Sequence, residues 1–266
     1  MWLVLFILIV GVMVYALRNQ KKLSYKCFLL TLPTSTNRRR KFLGSHDRAV
    51  PLEIIYGADT KSVDNAKKYR DIVDPVYFKE ALRMHYNRKH LRPDITYFNM
   101  GAIGCYMGHM EFYRKCFEQG LKYAVVFEDN VIVTNHRLYD EIQEVIDTLG
   151  DNFEMCFFHC LTRYPDGKVI KDIERVKWIS STKCYLINVE NMQRYYQHFF
   201  PIDNHVDMKH EDIIAKGARV FYKDLRDSMY IDRTNTSTIG HSDHRKPKYF
   251  SKQYPTVTTD VLKPGY

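Results

Sequence analysis

The chain has 266 residues, of which 45% are hydrophobic and 14% aromatic, enough apolar material to bury a large core and to exclude an intrinsically disordered protein. Forty Lys and Arg against 31 Asp and Glu give a net charge of +9, which favours an anionic partner: a phosphate-bearing substrate, a phospholipid surface or a nucleic acid. Nucleic acid is not the expected partner, because the basic runs are short and scattered. Six cysteines without a CxxC pair or zinc spacing predict free thiols.

The chain begins with an uncharged apolar stretch over residues 2–17. Its length is near the lower limit of ~17 residues for crossing a bilayer, and it lacks the basic start and cleavage site of a signal peptide. We therefore predict a single membrane anchor in residues 1–22. The basic residues that flank it all follow it, at positions 18, 21, 22 and 26. They favour a cytoplasmic domain, whereas the sequon Asn235-Thr236-Ser237 suits a luminal one, so the topology stays open.

From residue 23 onward, strand patterns and helix patterns alternate along the chain. Apolar runs bounded by turn residues predict strands, and apolar stripes at helical spacing predict helices. The strands are expected at residues 25–32, 52–56, 123–127, 153–159 and 184–188. This alternation is typical of an α/β fold with a mostly parallel sheet, which we assign to residues 23–240. Residues 241–266 are expected to form an irregular tail that wraps the core or closes a site.

Residues 100–109 are rich in glycine and precede a helical pattern. We interpret them as a glycine-bearing loop that feeds an amphipathic helix. Because Gly104 and Gly108 have no side chain, a phosphate or sugar can approach the backbone closely there. Cys105 and His109 lie four residues apart, which is the spacing of a metal pair, although a core thiol and a hydrogen-bonded histidine are the commoner explanation.

Polar side chains follow the strand at 123–127 directly, as Glu128-Asp129-Asn130. Ligands gather where the strands of such a sheet end, so we expect these side chains to face a cleft. Two carboxylates and an amide can hold a hard divalent cation through oxygen. The alternative is an ordinary polar turn, since Asp and Asn are common turn residues.

Other acids are candidates for binding or proton transfer. Asp59 follows the second strand, where it can accept a ribose hydroxyl or form a turn. After Pro201, two acidic clusters contain Asp203, Asp207 and Asp212. A carboxylate there can take a proton from an attacking hydroxyl, but a helix cap is the commoner role for any one of them.

The order of these segments resembles glycosyltransferase family 25, which includes lipooligosaccharide and procollagen galactosyltransferases. The strongest match is the family signature Gly-x-x-Gly-Cys-x-x-Ser-His, followed later by a hydrophobic strand and Glu-Asp-Asp; here these are residues 101–109 and 125–130. The other matching elements are Phe28-Leu29-Leu30-Thr31-Leu32-Pro33 with Arg38-Arg39, Tyr56-Gly57-Ala58-Asp59, Pro201-Ile202-Asp203 and Ser237-Thr238-Ile239. The likeness covers residues 25–240.

This resemblance implies a GT-A fold, a single nucleotide-binding domain of Rossmann type. It also implies transfer of a hexose, galactose or glucose, from a UDP-sugar with inversion, in glycan biosynthesis. The acceptor is then a hydroxyl of a glycan or of a protein, such as hydroxylysine. The residues expected to contact the UDP-sugar are Thr31, Leu32, Pro33, Arg38, Arg39, Asp59, Gly104 and Glu128.

The resemblance also implies a Mn²⁺ site and a catalytic base. By family position Asp129 and Asn130 hold the ion beneath the diphosphate, and His241 is expected to reach it from the tail. The candidate catalytic residues are Asp203 as first base, Asp212 as second base, and Glu128.

Two residues depart from the family pattern. Gly108 stands where the family has Ser, a change expected to alter only a helix-start hydrogen bond. Asn130 replaces the last acid of Glu-Asp-Asp, and a neutral amide binds a divalent cation more weakly than a carboxylate. A second hypothesis is therefore an inert family member that acts as a binding or scaffold domain. A third, a nucleic-acid-binding protein, rests on net charge alone.

Overall fold

The computed structural model describes residues 23–87 and 98–234, together with Trp2. Apart from Trp2, the predicted anchor lies outside the described residues, as do His241, the sequon and the predicted tail. Within the described part of the chain, no helix is both long enough and apolar enough to cross a bilayer. The anchor therefore stays a prediction.

The described residues form ten strands and seven α-helices. The strands are β1 (Tyr25–Thr31), β2 (Leu52–Tyr56), β3 (Tyr123–Glu128), β4 (Val131–Val133), β5 (Met155–Phe157), β6 (Thr162–Ile170), β7 (Ile173–Ser180), β8 (Cys184–Asn188), β9 (Val220–Tyr222) and β10 (Met229–Ile231). The helices are α1 (Thr36–Ser45), α2 (Val63–Lys67), α3 (Pro75–Asn87), α4 (Met100–Glu118), α5 (Leu138–Leu149), α6 (Val189–Gln193) and α7 (Val206–Ala215). All five predicted strands are confirmed, the fourth of them over a shorter span.

Eight strands form one mixed sheet in the order β2-β1-β3-β8-β5-β9-β7-β6. On one side of this sheet β1 runs parallel to both β2 and β3, as the sequence predicts. Strand β8 then runs antiparallel to β3 and to β5, and the β6–β7 hairpin forms the far edge. Strands β4 and β10 pair separately. The α/β class is confirmed, and the carboxyl ends of β1, β2 and β3 meet at one end of the sheet.

The central strand β3 is buried on both faces, which explains its unbroken apolar sequence. Ala124 and Val126 pack into one core, together with Phe112 of α4. Val125 and Phe127 pack into a second core on the opposite face, which includes the apolar side of α5. Successive side chains of a strand point to opposite faces, so a strand between two cores needs apolar residues throughout.

Helix α4 begins earlier than the sequence predicts. Residues 100–109 are helical rather than a loop. Asn99 caps the helix, because its side-chain oxygen accepts a hydrogen bond from the backbone N–H of Ala102 at 3.0 Å. The glycines of this stretch therefore lie inside a helix, and their role has to be found in helix packing.

The sequence does not predict the β6–β7 hairpin. Pro165 and Gly167 interrupt β6 where its register with β7 shifts, and most of the strand is exposed. A strand that faces solvent carries little hydrophobic pattern, so periodicity could not reveal it. Further along the chain, α6 is followed by a separate 3₁₀ turn at Tyr196–Phe199.

Helix α7 places His210 in the core, fully buried beside Tyr113. Burial, aided by the charge of His109, lowers the pKa of His210 to about 3. The folded protein therefore keeps this ring neutral, whereas the unfolded chain protonates it below its ordinary pKa of about 6.5. The contribution of neutral His210 to the free energy of unfolding is therefore full above pH 6.5, and it is lost as the pH falls from 6.5 toward 3.

We therefore expect the free energy of unfolding to fall by about 1.4 kcal/mol per pH unit from this one histidine between pH 6 and 4. Urea unfolding of the wild type and of His210→Gln at pH 7.5, 6, 5 and 4 checks it. The variant should show a shallower pH slope by that amount. Equal slopes in the two proteins would contradict a neutral buried His210.

Candidate active site

A cleft opens at the carboxyl ends of β1, β2 and β3, against helix α4. Ligands of α/β proteins bind most often at this place, outside the carboxyl ends of the strands. Its walls contain seven of the residues that the sequence analysis selects: Thr31, Leu32, Arg38, Asp59, Gly104, Glu128 and Asp129. The structure thus brings together residues that are spread over nearly a hundred positions of the sequence.

Strand pairing fixes the floor of this cleft. Leu30 of β1 pairs with Glu128 of β3, and Thr31 pairs with Tyr56 of β2. The ladder continues past the strand ends, since the Asp129 N–H donates to the Leu30 carbonyl at 3.1 Å. Asp129 therefore sits at a defined position beside β1, with its side chain in the cleft wall.

Both carboxylate oxygens of Asp129 are engaged. Oδ1 lies 2.6 Å from a guanidinium nitrogen of Arg38, and Oδ2 accepts from Thr31 Oγ1 at 2.6 Å. Burial raises the pKa of Asp129 and the charge of Glu128 adds to the rise, although Arg38 and Thr31 oppose it. Arg38 is itself buried at the start of α1. The result is a fixed ion pair in the cleft wall.

Glu128 forms the second ion pair of the cleft. Its Oε2 lies 2.6 Å from Lys183 Nζ, and its Oε1 accepts from Thr182 Oγ1 at 2.7 Å. Burial acts to raise the pKa of Glu128, but Lys183 and His109 outweigh it and hold that pKa well below its usual range. Glu128 is therefore a stable carboxylate that holds Lys183 in place, which makes it a poor source of protons for catalysis.

Lys183 and Thr182 are site residues that the sequence pattern does not predict. They directly precede β8, and β8 runs antiparallel to β3. The start of β8 consequently lies beside the end of β3, where the Glu128 N–H donates to the Lys183 carbonyl at 2.8 Å. The sequence does show a polar Thr-Lys pair before a buried strand. Only the antiparallel pairing of β8 with β3 places that pair beside Glu128, and the sequence does not reveal this direction.

The glycines of α4 serve packing as well as the cleft. A Cβ on Gly104 would lie 2.4 Å from the Ala58 carbonyl oxygen and 2.5 Å from Thr60 Oγ1. A Cβ on Gly108 would lie 2.9 Å from a methyl carbon of Leu30. The sequence predicts that a ligand approaches these glycines closely, but in the structure the nearest atoms belong to the protein itself. The absence of a side chain at Gly104 lets the loop after β2 pack directly on α4. Gly104 still lines the cleft.

Asp59 fulfils the turn role that the sequence left open. Its Oδ1 accepts from the backbone N–H of Lys61 at 3.1 Å, a local bond typical of aspartate in turns. Asp59 and Lys61 both line the cleft as well. The turn therefore presents a carboxylate and an ammonium group to the cleft at the end of β2.

Arg39 and Pro33 lie outside the cleft lining, so their assignment as UDP-sugar contacts stays a prediction. Pro33 is exposed. The guanidinium of Arg39 packs over the Tyr56 ring, 5.5 Å from its centroid, and donates to the Leu32 carbonyl at 3.0 Å. Successive helix residues point in different directions, so only Arg38 of this pair turns toward the strand ends. Arg39 holds the loop after β1 in place.

The two predicted bases surround a buried lysine instead of the cleft. Lys209 Nζ lies 2.7 Å from Asp203 Oδ1 and 3.0 Å from Asp212 Oδ2. Neither acid is among the cleft-lining residues. Both offset the charge of Lys209, whose side chain is nearly inaccessible, and their role as catalytic bases stays a prediction. Either acid would have to leave Lys209 to act as a base.

As the structure has them, Asp129 and Asn130 do not fit a divalent cation. Both oxygens of Asp129 are already bound, and a cation there would face the Arg38 guanidinium. The side-chain oxygen of Asn130 is buried and accepts no hydrogen bond, but Asn130 is not part of the cleft lining. His241 lies outside the described residues. The Mn²⁺ site therefore stays a prediction, and no catalytic step is derived through it.

A family model described as glycosyltransferase family 25 (LPS biosynthesis protein) matches residues 25–210. The match includes every residue that lines the cleft. The fold and the cleft thus belong to a glycosyltransferase. The chain is a member of glycosyltransferase family 25, as its motifs predict. No curated protein sequence matches it.

Solved structures resemble the chain only distantly. A197 from STIV has a TM-score of 0.42 at 8% identity, covering 78% of this chain and 86% of that one. A glycosyltransferase involved in the glycosylation of the major capsid of PBCV-1 has a TM-score of 0.40 at 12% identity, covering 83% and 97%. Mouse xyloside xylosyltransferase 1 in its apo form has a TM-score of 0.37 at 10% identity, and the match covers 72% of this chain and 80% of that one. The activity must therefore be argued from this chain's own residues.

Proposed function

We propose that this chain transfers a hexose, galactose or glucose, from a UDP-sugar to a hydroxyl of a glycan or protein, with inversion at the sugar carbon. The observation that carries the proposal is the cleft at the ends of β1, β2 and β3, with the Arg38–Asp129 ion pair in its wall. Family membership supplies the reaction class, and Arg38 in the cleft wall supports a donor that carries phosphates.

The departing diphosphate needs positive charge close to its oxygens. Arg38 is the cleft-lining cation best suited to this task, because its planar guanidinium can bind phosphate through two parallel hydrogen bonds. Asp129, which is itself held by Thr31, keeps Arg38 in position before the donor binds. Lys183 lies behind Glu128 as a second source of positive charge. Asp59, at the end of β2, is our candidate for the ribose hydroxyls.

Inversion needs a base that takes the proton from the acceptor hydroxyl. Asp203 and Asp212 are the bases expected from the family resemblance, and both pair with Lys209. We add Asp207 as a third candidate. It belongs to the same acidic segment as Asp203 and Asp212 and lies in the first turn of α7.

A panel of UDP-sugars tests the proposal. The full chain is incubated with each donor and an alcohol acceptor, with Mn²⁺ or with EDTA, and release of UDP is measured. We expect turnover with UDP-galactose or UDP-glucose and little with other nucleotide sugars. The Mn²⁺ arm decides whether a divalent cation is needed, a point on which the paired Asp129 and the family resemblance disagree.

The alternative is an inert family member that binds a partner without catalysis. It is favoured by Asn130, which replaces an acid, and by the full engagement of Asp129 in the cleft wall. Calorimetry separates the two functions. A chain that binds no UDP, with or without Mn²⁺, is an inert domain, whereas binding together with UDP release supports the enzyme.

Membrane attachment through residues 1–22 is part of the same proposal. It rests on the uncharged apolar stretch at residues 2–17. Fractionation of cells that express the full chain, compared with a chain that begins at residue 23, tests it. The full chain should sediment with membranes after a high-salt wash, and the shortened chain should not.

A further inference from the structure

Three potential metal ligands converge behind the cleft. Cys105 and His109 lie one turn apart on the same face of α4, and Glu128 ends the neighbouring strand β3. Their ligand atoms, one from each residue, all lie within 4.8 Å of one another. In a tetrahedral zinc site with ordinary bond lengths, ligand atoms lie about 3.5 Å apart. The cluster therefore needs only small side-chain movements to close around an ion.

The ring of His109 supplies an independent observation. Its Nδ1 lies 2.8 Å from the Tyr185 hydroxyl, while its Nε2 is buried and has no hydrogen-bond partner. The nearest carboxylate oxygen, Glu128 Oε1, is 3.8 Å from Nε2, which is too far for a hydrogen bond. A fully buried ring nitrogen without a partner is costly. Here that nitrogen faces the carboxylate of Glu128, as a metal-binding nitrogen would.

The second ring nitrogen is also arranged as in metal sites. A histidine that binds a metal through one nitrogen usually forms a hydrogen bond through the other, which fixes the orientation of the ring. Tyr185 provides that bond from strand β8, and its ring is stacked on His109 at a centroid distance of 5.6 Å. The imidazole therefore points Nε2 toward Glu128 before any ion binds.

The donor set decides which ion is expected. A thiolate, an imidazole and a carboxylate together suit Zn²⁺, whereas Mn²⁺ prefers oxygen ligands. Cys105 and Glu128 both line the cleft, so the open side of the cluster faces the cavity. Three protein ligands and one position open to water or substrate is the arrangement of catalytic rather than structural zinc sites.

The neighbouring charges are compatible with an ion. Zn²⁺ bound by one thiolate and one carboxylate is neutral in sum, and the remaining positive charge is that of Lys183, whose side chain is 24% exposed. Lys183 holds Oε2 of Glu128, and Thr182 donates to Oε1. A carboxylate oxygen has two lone pairs, so Oε1 can bind a metal while it keeps the hydrogen bond from Thr182.

We propose that Cys105, His109 and Glu128 form a three-ligand Zn²⁺ site whose open position faces the donor cleft. This site is separate from the Asp129–Asn130 position that the sequence predicts for Mn²⁺. It does not depend on the identity of the sugar donor, since it follows from the three ligands alone.

Zinc content of the full chain tests the proposal. Protein purified without a histidine tag is stripped with EDTA, dialysed against Zn²⁺ and then against buffer, and analysed for metal. We expect about one Zn²⁺ per chain, and at least tenfold weaker zinc affinity in Cys105→Ala and His109→Ala. Cys160→Ala is the matched control, because this half-buried thiol lies near Arg163 and outside the cluster. It should retain the wild-type zinc content.

Cobalt keeps the test decisive if a variant fails to fold. Co²⁺ bound by a thiolate gives a charge-transfer band in the near ultraviolet, and wild-type protein alone suffices to look for it. The band should appear in the wild type and in Cys160→Ala. Absence of stoichiometric zinc or of this band in the wild type overturns the proposal. So does metal binding that is lost in Asp129→Asn and kept in Cys105→Ala, which would put the ion at the end of β3 instead. None of these readouts uses a sugar donor, so failure of the glycosyl transfer would not affect them.

Discussion

Replacement of Arg38 by glutamine should lower kcat/KM for the UDP-hexose by about 100-fold or more. Arg38 is the buried cation of the cleft wall, held 2.6 Å from Asp129. Glutamine removes the charge that stabilises the departing diphosphate, and it leaves the Asp129 carboxylate without its ionic partner. Steady-state rates of UDP release, measured at several donor concentrations, check the prediction. Calorimetric titration with UDP should show a parallel loss of affinity.

Arg39→Gln is the matched control for this experiment. The two arginines are neighbours on α1, but Arg39 packs over Tyr56 and donates to a backbone carbonyl outside the cleft lining. Its removal should change kcat/KM by no more than about threefold, as for other partly exposed side chains away from a site. Arg38→Lys keeps the positive charge but loses the two parallel hydrogen bonds that a guanidinium can donate. Its kcat/KM should therefore lie between those of wild type and Arg38→Gln. Equal effects of Arg38→Gln and Arg39→Gln would contradict the assignment.

The strands that build the cleft could be predicted because their sequences carry strong physical signals. β3 separates two cores, so every one of its inner residues from Ala124 to Phe127 has to be apolar. The change to Glu128 and Asp129 then marks the strand end without ambiguity. The parallel order of β1, β2 and β3 puts the ends of these strands side by side. A cleft lined by Thr31, Arg38 and Asp129 follows from those facts.

The partners of the two acids could not be predicted in the same way. Lys183 reaches Glu128 only because β8 runs antiparallel to β3, and the direction of a buried strand leaves no mark on its own residues. The pairing of Asp203 and Asp212 with Lys209 depends on how α7 sits on the sheet. Periodicity identifies which face of a helix is buried, but it does not identify which charge a buried lysine meets.

Glycine positions show a different limit of sequence reasoning. A glycine indicates that another group approaches the backbone closely, but it does not indicate whether that group belongs to a ligand or to the protein. At Gly104 the neighbour is the loop after β2, through the Ala58 carbonyl and the Thr60 hydroxyl. That loop carries Asp59 and Lys61 into the cleft. The packing of one helix glycine therefore sets the width of the proposed donor site.

Gly104→Ala should consequently destabilise the fold by about 3 kcal/mol, at the upper end of overpacking effects, because the new methyl group meets a backbone oxygen that has little room to move. Urea unfolding measures the change. Gly44→Ala is the control: Gly44 also lies in a helix, but a Cβ there meets nothing within 4 Å. That variant should be more stable than wild type by about 0.5–1 kcal/mol, since alanine favours the helix.

The same pair of variants separates packing from binding. In Gly104→Ala the loop with Asp59 has to move away from α4, so KM for the UDP-sugar should rise even under conditions where the protein stays folded. Gly44→Ala should leave KM unchanged, because α1 beyond Arg38 makes no part of the cleft lining among the described residues. A Gly104→Ala protein with wild-type stability and wild-type KM would show that the loop after β2 does not rest on this glycine, and that the donor site is not shaped by it.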